Sequence, residues 1–302
     1  MSNKPLRTDF ARCRAGMAEL LTQAVEMTRK LEQRLDVTGG WQEATAQIDL
    51  DAEPTAGLRI EGALLLRKAR IHTVAVLRAN ETRNLHSLAV QMRPVLECAG
   101  QVVFRFRTLF IAPDVLMSQE KAAAMLGTRV NADFYQTLRR GTKGRISPKK
   151  LRKMATKVEA AVAEECGAAK PKRQKAWSFN QADKVAPLAG GRAWYTYLSE
   201  YFSHGKTADW RGLSWRGGVM TIDRVEDEVA FLGLMSYLVE QVAHMNAAVA
   251  LCPVEGDENN CWKDWVEPAL AQLSHVRESS KTLVDAARVA LTGELDGSSG
   301  PG

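Results

Sequence analysis

The sequence predicts a mainly α protein, a multi-helix bundle with one small β-hairpin near 213–222. Three observations lead there. Apolar residues recur at three- and four-residue spacing over most of the chain, the stripe of a helix buried on one side. The piece LSWRGGVMTI is the only convincing strand signal, two short arms around Gly217-Gly218. Seven Trp and 45% hydrophobic residues against 25% charged ones suit a packed globular chain and exclude disorder of the whole.

The elements follow in order. A first helix is expected from about Asp9, where Phe10, Cys13, Met17, Leu20, Leu21, Ala24, Met27, Leu31 and Leu35 keep one stripe until Gly39-Gly40. Residues 41–57 read as a loop punctuated by Pro54 and Gly57. From Leu58 to Ile111 the pattern is almost continuously helical, with Asn80 as the expected break or cap. The second half of that stretch carries Leu85, Leu88, Met92, Leu96, Ala99, Val103, Phe106 and Phe110, widened by Val95, Val102 and Leu109. Such a broad stripe predicts a central helix covered on most sides, and Pro94 inside it predicts a bend or a break.

Ser147-Pro148 is a helix start, serine as cap and proline in the first turn. The stretch GAAKPKRQKAW (167–177) reads as a linker, and a helix is expected over 192–203. Two more long helices follow the strand signal, about 223–251 and 260–292, with Pro268 delaying the start of the second. Organised as domains, residues 1–57 are an N-terminal helix and loop. Residues 58–292 are the helical bundle, with a basic segment at 139–175, and residues 293–302 are a disordered tail.

Charge is uneven. Between Arg139 and Lys175 thirteen Lys/Arg face three Glu, a local +10, so the rest of the chain carries −4 against a total of +6. The five cysteines form no CxxC pair, and they read as reduced thiols packed as small hydrophobes, which suits the cytoplasm. MSNKPLRTDF has no apolar run of a signal peptide. The most apolar stretch, Val229 to Leu251, includes Glu240, Gln241, His244 and Asn246, so it is expected to be a core helix and not a membrane span.

Two regions could carry function. On the expected central helix, His86, Val90, Arg93 and Glu97 share a face. Arg93 and Glu97 on so apolar a helix must be exposed or find partners, since buried unpaired charge is costly. They read either as an ion pair fixing helix register or as a polar pocket in which Arg93 binds an anionic group. His204, just before Gly205, reads as a capping histidine at a helix end or as a partner of Glu97 across the fold. The second region is basic. Arg139, Arg140, Lys143, Arg145, Lys149, Lys150, Arg152 and Lys153 crowd one stretch, the last four at a helix N-terminus whose backbone is already positive. An acidic partner or nucleic acid would relieve that crowding.

Resemblances add to this. ALLLRKARIHTVAVLRANETRNLHSLAVQMRPVLE (63–97) followed by YLSEYFSHG (197–205) resembles a bacterial, all-helical family of unknown function with an Arg-x-x-x-Glu helix and a Leu-Ser-Glu-Tyr-x-x-His element. The resemblance implies an all-α fold over about 58–250, marks Arg93, Glu97, Ser199, Glu200 and His204, and implies no activity. SQEKAAAMLGTRVNADFYQTLRRG (118–141) resembles a helix-turn-helix with Leu126-Gly127 at the turn, departing from it where Asp133 stands one position before Phe134. The HEPN-type helical ribonucleases use an Arg followed four to six residues later by His. Here His86 follows Arg83-Asn84 too closely, and Arg211 follows His204 instead of preceding it.

The sequence has no HExxH, no di-iron ExxH pair, no P-loop, no GxGxxG and no GxSxG. Glu240, His244 and His275 could in principle gather a metal, but an i,i+4 Glu/His pair on an apolar helix reads first as a satisfied core pair. No metal and no cofactor is expected. The leading expectation is a cytoplasmic interaction or regulatory protein with a polar pocket, engaging an unknown protein partner or, through the basic segment, nucleic acid. The alternative is a nucleic-acid-binding protein or a HEPN-like ribonuclease. The long first helix could pair with a second copy to form a homo-oligomer or complete its own bundle.

Overall fold

The computed structural model describes residues 4–36, 56–111, 185, 188–199, 213–216, 219–222, 224–252, 254 and 261–297. Over these the chain is mainly helical. The helices are α1 (Lys4–Leu35), α2 (Ala56–Glu81), α3 (Leu85–Ile111), α4 (Gly191–Leu198), α5 (Arg224–Ala250) and α6 (Glu267–Gly297). Two short strands, β1 (Leu213–Arg216) and β2 (Val219–Ile222), pair antiparallel with Leu213 opposite Ile222 and Arg216 opposite Val219.

α1, α2, α3 and α5 pack as a ring of four, each against the next, and α6 lies in the groove between α1 and α5. α4 rests on α3. α1 is therefore an integral wall of the bundle. Of its stripe, Met17, Leu21, Leu31 and Leu35 are fully buried, together with Leu58 and Leu66 of α2 and Leu88, Met92, Leu96 and Phe106 of α3. α1 and α2 come so close that a Cβ on Gly62 would press on Leu35 Cδ1 and Phe106 Cζ, at 2.9 and 3.3 Å. From Leu238 to Ala250 nearly every residue of α5 is buried, so its apolar side chains are taken up by the bundle. No helix among the described residues is long and apolar enough to cross one.

The break between α2 and α3 lies a turn beyond Asn80. α2 runs to Glu81 and ends in a Schellman motif. Asn84 N–H donates to Ala79 O at 2.9 Å and Arg83 N–H to Asn80 O at 3.1 Å. Arg83 takes the left-handed conformation at φ 54°, a place usually given to glycine, which hid the helix end in the sequence. The cap is Asn84, whose Oδ1 accepts from Ser87 N–H at 2.9 Å.

Pro94 does not break α3, which is helical from Leu85 to Ile111. Neighbouring helices hold the segment even though Pro94 offers no N–H to the turn before it. Pro268 acts differently. Residues 262–266 form a π turn in which Glu267 N–H donates to Trp262 O, so the chain is already helical from Cys261 and Pro268 sits within the first turn of α6. The wider π turn just before it accommodates Pro268, which has no N–H to give to the turn behind it. α6 also continues to Gly297, so residues 293–297 are helical and not part of a disordered tail.

Candidate functional site

α4 meets α3 through one tyrosine. Gly190, at φ 67°, turns the chain into α4, and Gly191 passes so close to the previous turn that a Cβ would run into the carbonyl oxygen of Val185. This tight entry sets the helix's rotation. Tyr195 and Leu198 then face inward, while Arg192 and Ala193 face out. Trp194 stacks on Tyr237 of α5 with ring centroids 4.9 Å apart, and the Tyr237 hydroxyl donates to Ala189 O at 3.1 Å. α4 is thus held on two sides.

The Tyr195 hydroxyl lies between the two charged residues of α3. Arg93 Nη2 donates to it at 2.7 Å, and it donates to Glu97 Oε1 at 2.9 Å. The Arg93 guanidinium carbon also lies 4.7 Å from the centre of the Tyr195 ring, within cation–π range. Arg93 and Glu97 sit one turn apart on one face, so a single hydroxyl can bridge them. Burial raises the Tyr195 pKa above the ordinary tyrosine value. The hydrogen bond to Arg93 opposes this, and Glu97 adds to it. The phenol is therefore neutral near pH 7, donating one hydrogen bond and accepting another.

One group in the cluster is left over. Arg93 Nε is buried and has no hydrogen-bond partner. A buried donor without an acceptor costs about 1–3 kcal/mol. The Nε and Nη2 edge of a guanidinium is the edge that matches a carboxylate or a phosphate with two parallel bonds. Here one half of that edge is engaged by a neutral hydroxyl and the other half by nothing.

Of the residues singled out in the sequence, Arg93 and Glu97 converge. Ser199 lies next to the cluster but serves the backbone, its Oγ donating to Tyr195 O at 2.7 Å. Glu200, His204 and the basic residues from Arg139 to Lys153 lie outside the described residues, as does the 118–141 segment. His86 is exposed. Glu97 has a partner in Tyr195, which sequence reasoning missed. The signal was present: a tyrosine on the buried side of a short aromatic helix needs a partner for its hydroxyl.

The Glu240, His244 and His275 grouping is taken up by other contacts. Arg277 Nε donates to Glu240 Oε1 at 2.8 Å, and His275 Nδ1 lies 3.4 Å from Ser279 Oγ. Burial lowers the His244 pKa, Arg277 lowers it further, and Glu240 partly offsets them. Among the described residues no group of three His, Cys, Asp or Glu side chains could hold a metal ion.

Fold and cluster together define the class: a helical bundle carrying an Arg–Tyr–Glu junction between a long helix and a short one. No family model, no curated protein and no solved structure matches the chain.

Proposed function

We propose that this is an interaction or regulatory protein in which α4 is a strap latched to α3, and that an anionic group of a partner, a carboxylate or a phosphate, competes with Tyr195 for Arg93. The supporting observation is the half-used guanidinium edge. Arg93 is held by a neutral phenol on Nη2 and has no acceptor on Nε. An anion forms charge-assisted bonds about twice as strong as those of a neutral acceptor, and it can take both nitrogens. Because Nε is covered, the anion gains access only when the strap lifts. Binding and strap release are then one equilibrium.

The likeness of 63–97 and 197–205 to a helical family of unknown function, if it holds for this chain, marks Arg93 and Glu97 and also Glu200 and His204, which follow α4 in the sequence. We also read β1 and β2 as the two arms of a small β-hairpin. The basic segment supports a second reading, nucleic-acid binding, because its local +10 is concentrated in one stretch.

One experiment separates the readings. Thermal unfolding is followed with inorganic phosphate, succinate or chloride at equal ionic strength, and with labelled RNA and DNA, with and without divalent metal. Four proteins are compared: the wild type, Arg93→Gln, His204→Ala, and a variant neutralised at Lys149, Lys150, Arg152 and Lys153. Stabilisation by phosphate or succinate that disappears in Arg93→Gln supports the latch. Salt-sensitive nucleic-acid binding lost only on neutralising the basic residues supports the second reading, and cleavage lost in His204→Ala would make the protein a nuclease. An equal response of wild type and Arg93→Gln to every anion overturns the proposal.

A further inference from the structure

The far end of the bundle holds a second chemical cluster, built on two cysteines that the α3–α4 junction does not use. Cys252 closes α5, its N–H donating to Val249 O at 2.8 Å, and its side chain has no exposure. Cys261 opens the helical run into α6 and is partly exposed. Both are unbridged thiols. Arg34 of α1 draws them together. Its Nη2 donates to Cys252 O at 2.8 Å and lies 3.2 Å from Cys261 Sγ, and its Nη1 donates to Ala250 O at 3.2 Å. The guanidinium is braced over the Trp265 ring, 5.1 Å from its centre. Cys261 Sγ in turn donates to Ala250 O at 3.6 Å. Arg34, Arg59 and Cys261 all lie close enough to Cys252 to act on its charge.

These positions differ in a chemically useful way. The sulfur of Cys261 is reachable, touches a guanidinium and stands at the positive end of a long helix. Reactive cysteines occupy such partly exposed, electropositive settings. Cys252 is shielded from solvent and from any direct oxidant, yet it is near Cys261. The other described cysteines, Cys13 and Cys98, are buried in the helix stripes of α1 and α3.

We propose that Cys261 is an oxidisable thiol, with hydrogen peroxide as oxidant, and that Cys252 is its resolving partner. In the first step the Cys261 thiolate attacks one peroxide oxygen. The S–O bond forms and the O–O bond breaks, and hydroxide departs and is protonated to water. Sulfur is oxidised by two electrons to the sulfenic acid and the peroxide is reduced. In the second step the Cys252 thiolate attacks the Cys261 sulfur. The S–S bond forms, the S–O bond breaks, and a second water leaves with the proton from Cys252. The disulfide takes Cys261 Sγ away from Arg34 and closes the 252–261 connection covalently.

Burial pushes the Cys252 thiol up to about 12, so the second step is the slow one. Its rate follows the thiolate fraction and rises about tenfold per pH unit between pH 7 and 9. Sulfenic acid therefore accumulates at neutral pH before the bridge forms.

The test uses the full chain, treated with peroxide and quenched at intervals with dimedone. Peptide mapping then reads which cysteine carries dimedone and which pair is bridged. The wild type is expected to show transient labelling of Cys261, then a 252–261 link with the loss of two hydrogens, formed faster as pH rises. Cys252→Ser is expected to stop at the labelled Cys261, and Cys261→Ser to give neither product. Circular dichroism checks that both variants fold; if Cys252→Ser does not, the wild-type time course and its pH dependence still decide. Labelling of Cys13 or Cys98 as fast as Cys261 overturns the proposal. So does a Cys261 sulfenic acid that persists unbridged at pH 9.

Discussion

At the seam between α1, α5 and α6 the buried amide of Asn246 has all its partners, whereas at the junction between α3 and α4 a buried guanidinium nitrogen of Arg93 has none. At the seam Asn246, fully buried, uses its whole amide. Thr28 Oγ1 lies 2.8 Å from its Oδ1, and its Nδ2 donates to Ala24 O at 2.9 Å and toward Gln272 Oε1 at 3.4 Å. Gln272 Nε2 reaches back to Gln23 O at 3.1 Å. Nearby, Glu32 takes two bonds from Arg70, at 2.7 and 3.3 Å. At the α3–α4 junction one hydroxyl serves both charged groups, and Arg93 Nε has no acceptor. A closed network specifies one packing. An incomplete one marks a place where another group is accommodated, or where an element comes away at little cost.

Breaking the seam should have the largest effect. Asn246→Leu removes one of the two acceptors within reach of the Thr28 hydroxyl and the amide donor to Ala24 O, and it strips Gln272 of a partner inside the core. We expect a loss of about 3 kcal/mol, read as a lower urea midpoint with an unchanged slope. A loss under about 1 kcal/mol would show that the seam is not the rigid side of the comparison.

Tyr195→Phe should cost less, about 1–2 kcal/mol, because the junction is partly exposed and already short of one bond. Its sign toward ligand is the sharper reading. Removing the hydroxyl lowers the free-energy cost of the released state, so phosphate and succinate should bind more tightly to Tyr195→Phe than to wild type, by calorimetry. Weaker binding would make Tyr195 part of the ligand site and not its competitor. Asn84→Ala lies outside both regions and should cost about 1 kcal/mol through the lost cap, leaving anion binding unchanged.

The smallest effect is a pH dependence on the α5–α6 side. The folded pKa of His244 is lowered mainly by burial, with Arg277 adding and Glu240 opposing. Above the ordinary histidine value of about 6.5 both folded and unfolded forms are neutral, and the group has no effect on stability. As pH falls below that value the unfolded chain takes up the proton first, so stability declines until the folded pKa is passed. His244→Gln should flatten that decline in urea titrations between pH 7 and 5. An unchanged slope would assign it to another group.

Most of the bundle was legible because its helices follow simple periodicity: the stripes of α1 and α3 and the apolar density of α5 lie where their residues pack. The ends were harder. Arg83 holds a left-handed turn that glycine normally signals, and the π turn at 262–266 leaves no mark on the apolar pattern. At the site, Arg93 and Glu97 were legible because charge on an apolar helix demands partners. Tyr195 was not, because its hydroxyl meets Arg93 and Glu97 from 102 and 98 residues away, and helix spacing shows neighbours only along one helix. Arg34 escaped for the same reason, its targets being carbonyls at the end of α5.

The most direct measurement is the side-chain N–H resonance of Arg93 Nε, assigned by comparison with Arg93→Lys and followed as inorganic phosphate is added at constant ionic strength. If Arg93 is a cation awaiting an acceptor, that resonance moves downfield and saturates, while α4 amide signals shift with the same midpoint. A resonance that stays in place through saturating phosphate, or moves while α4 does not, would contradict the latch.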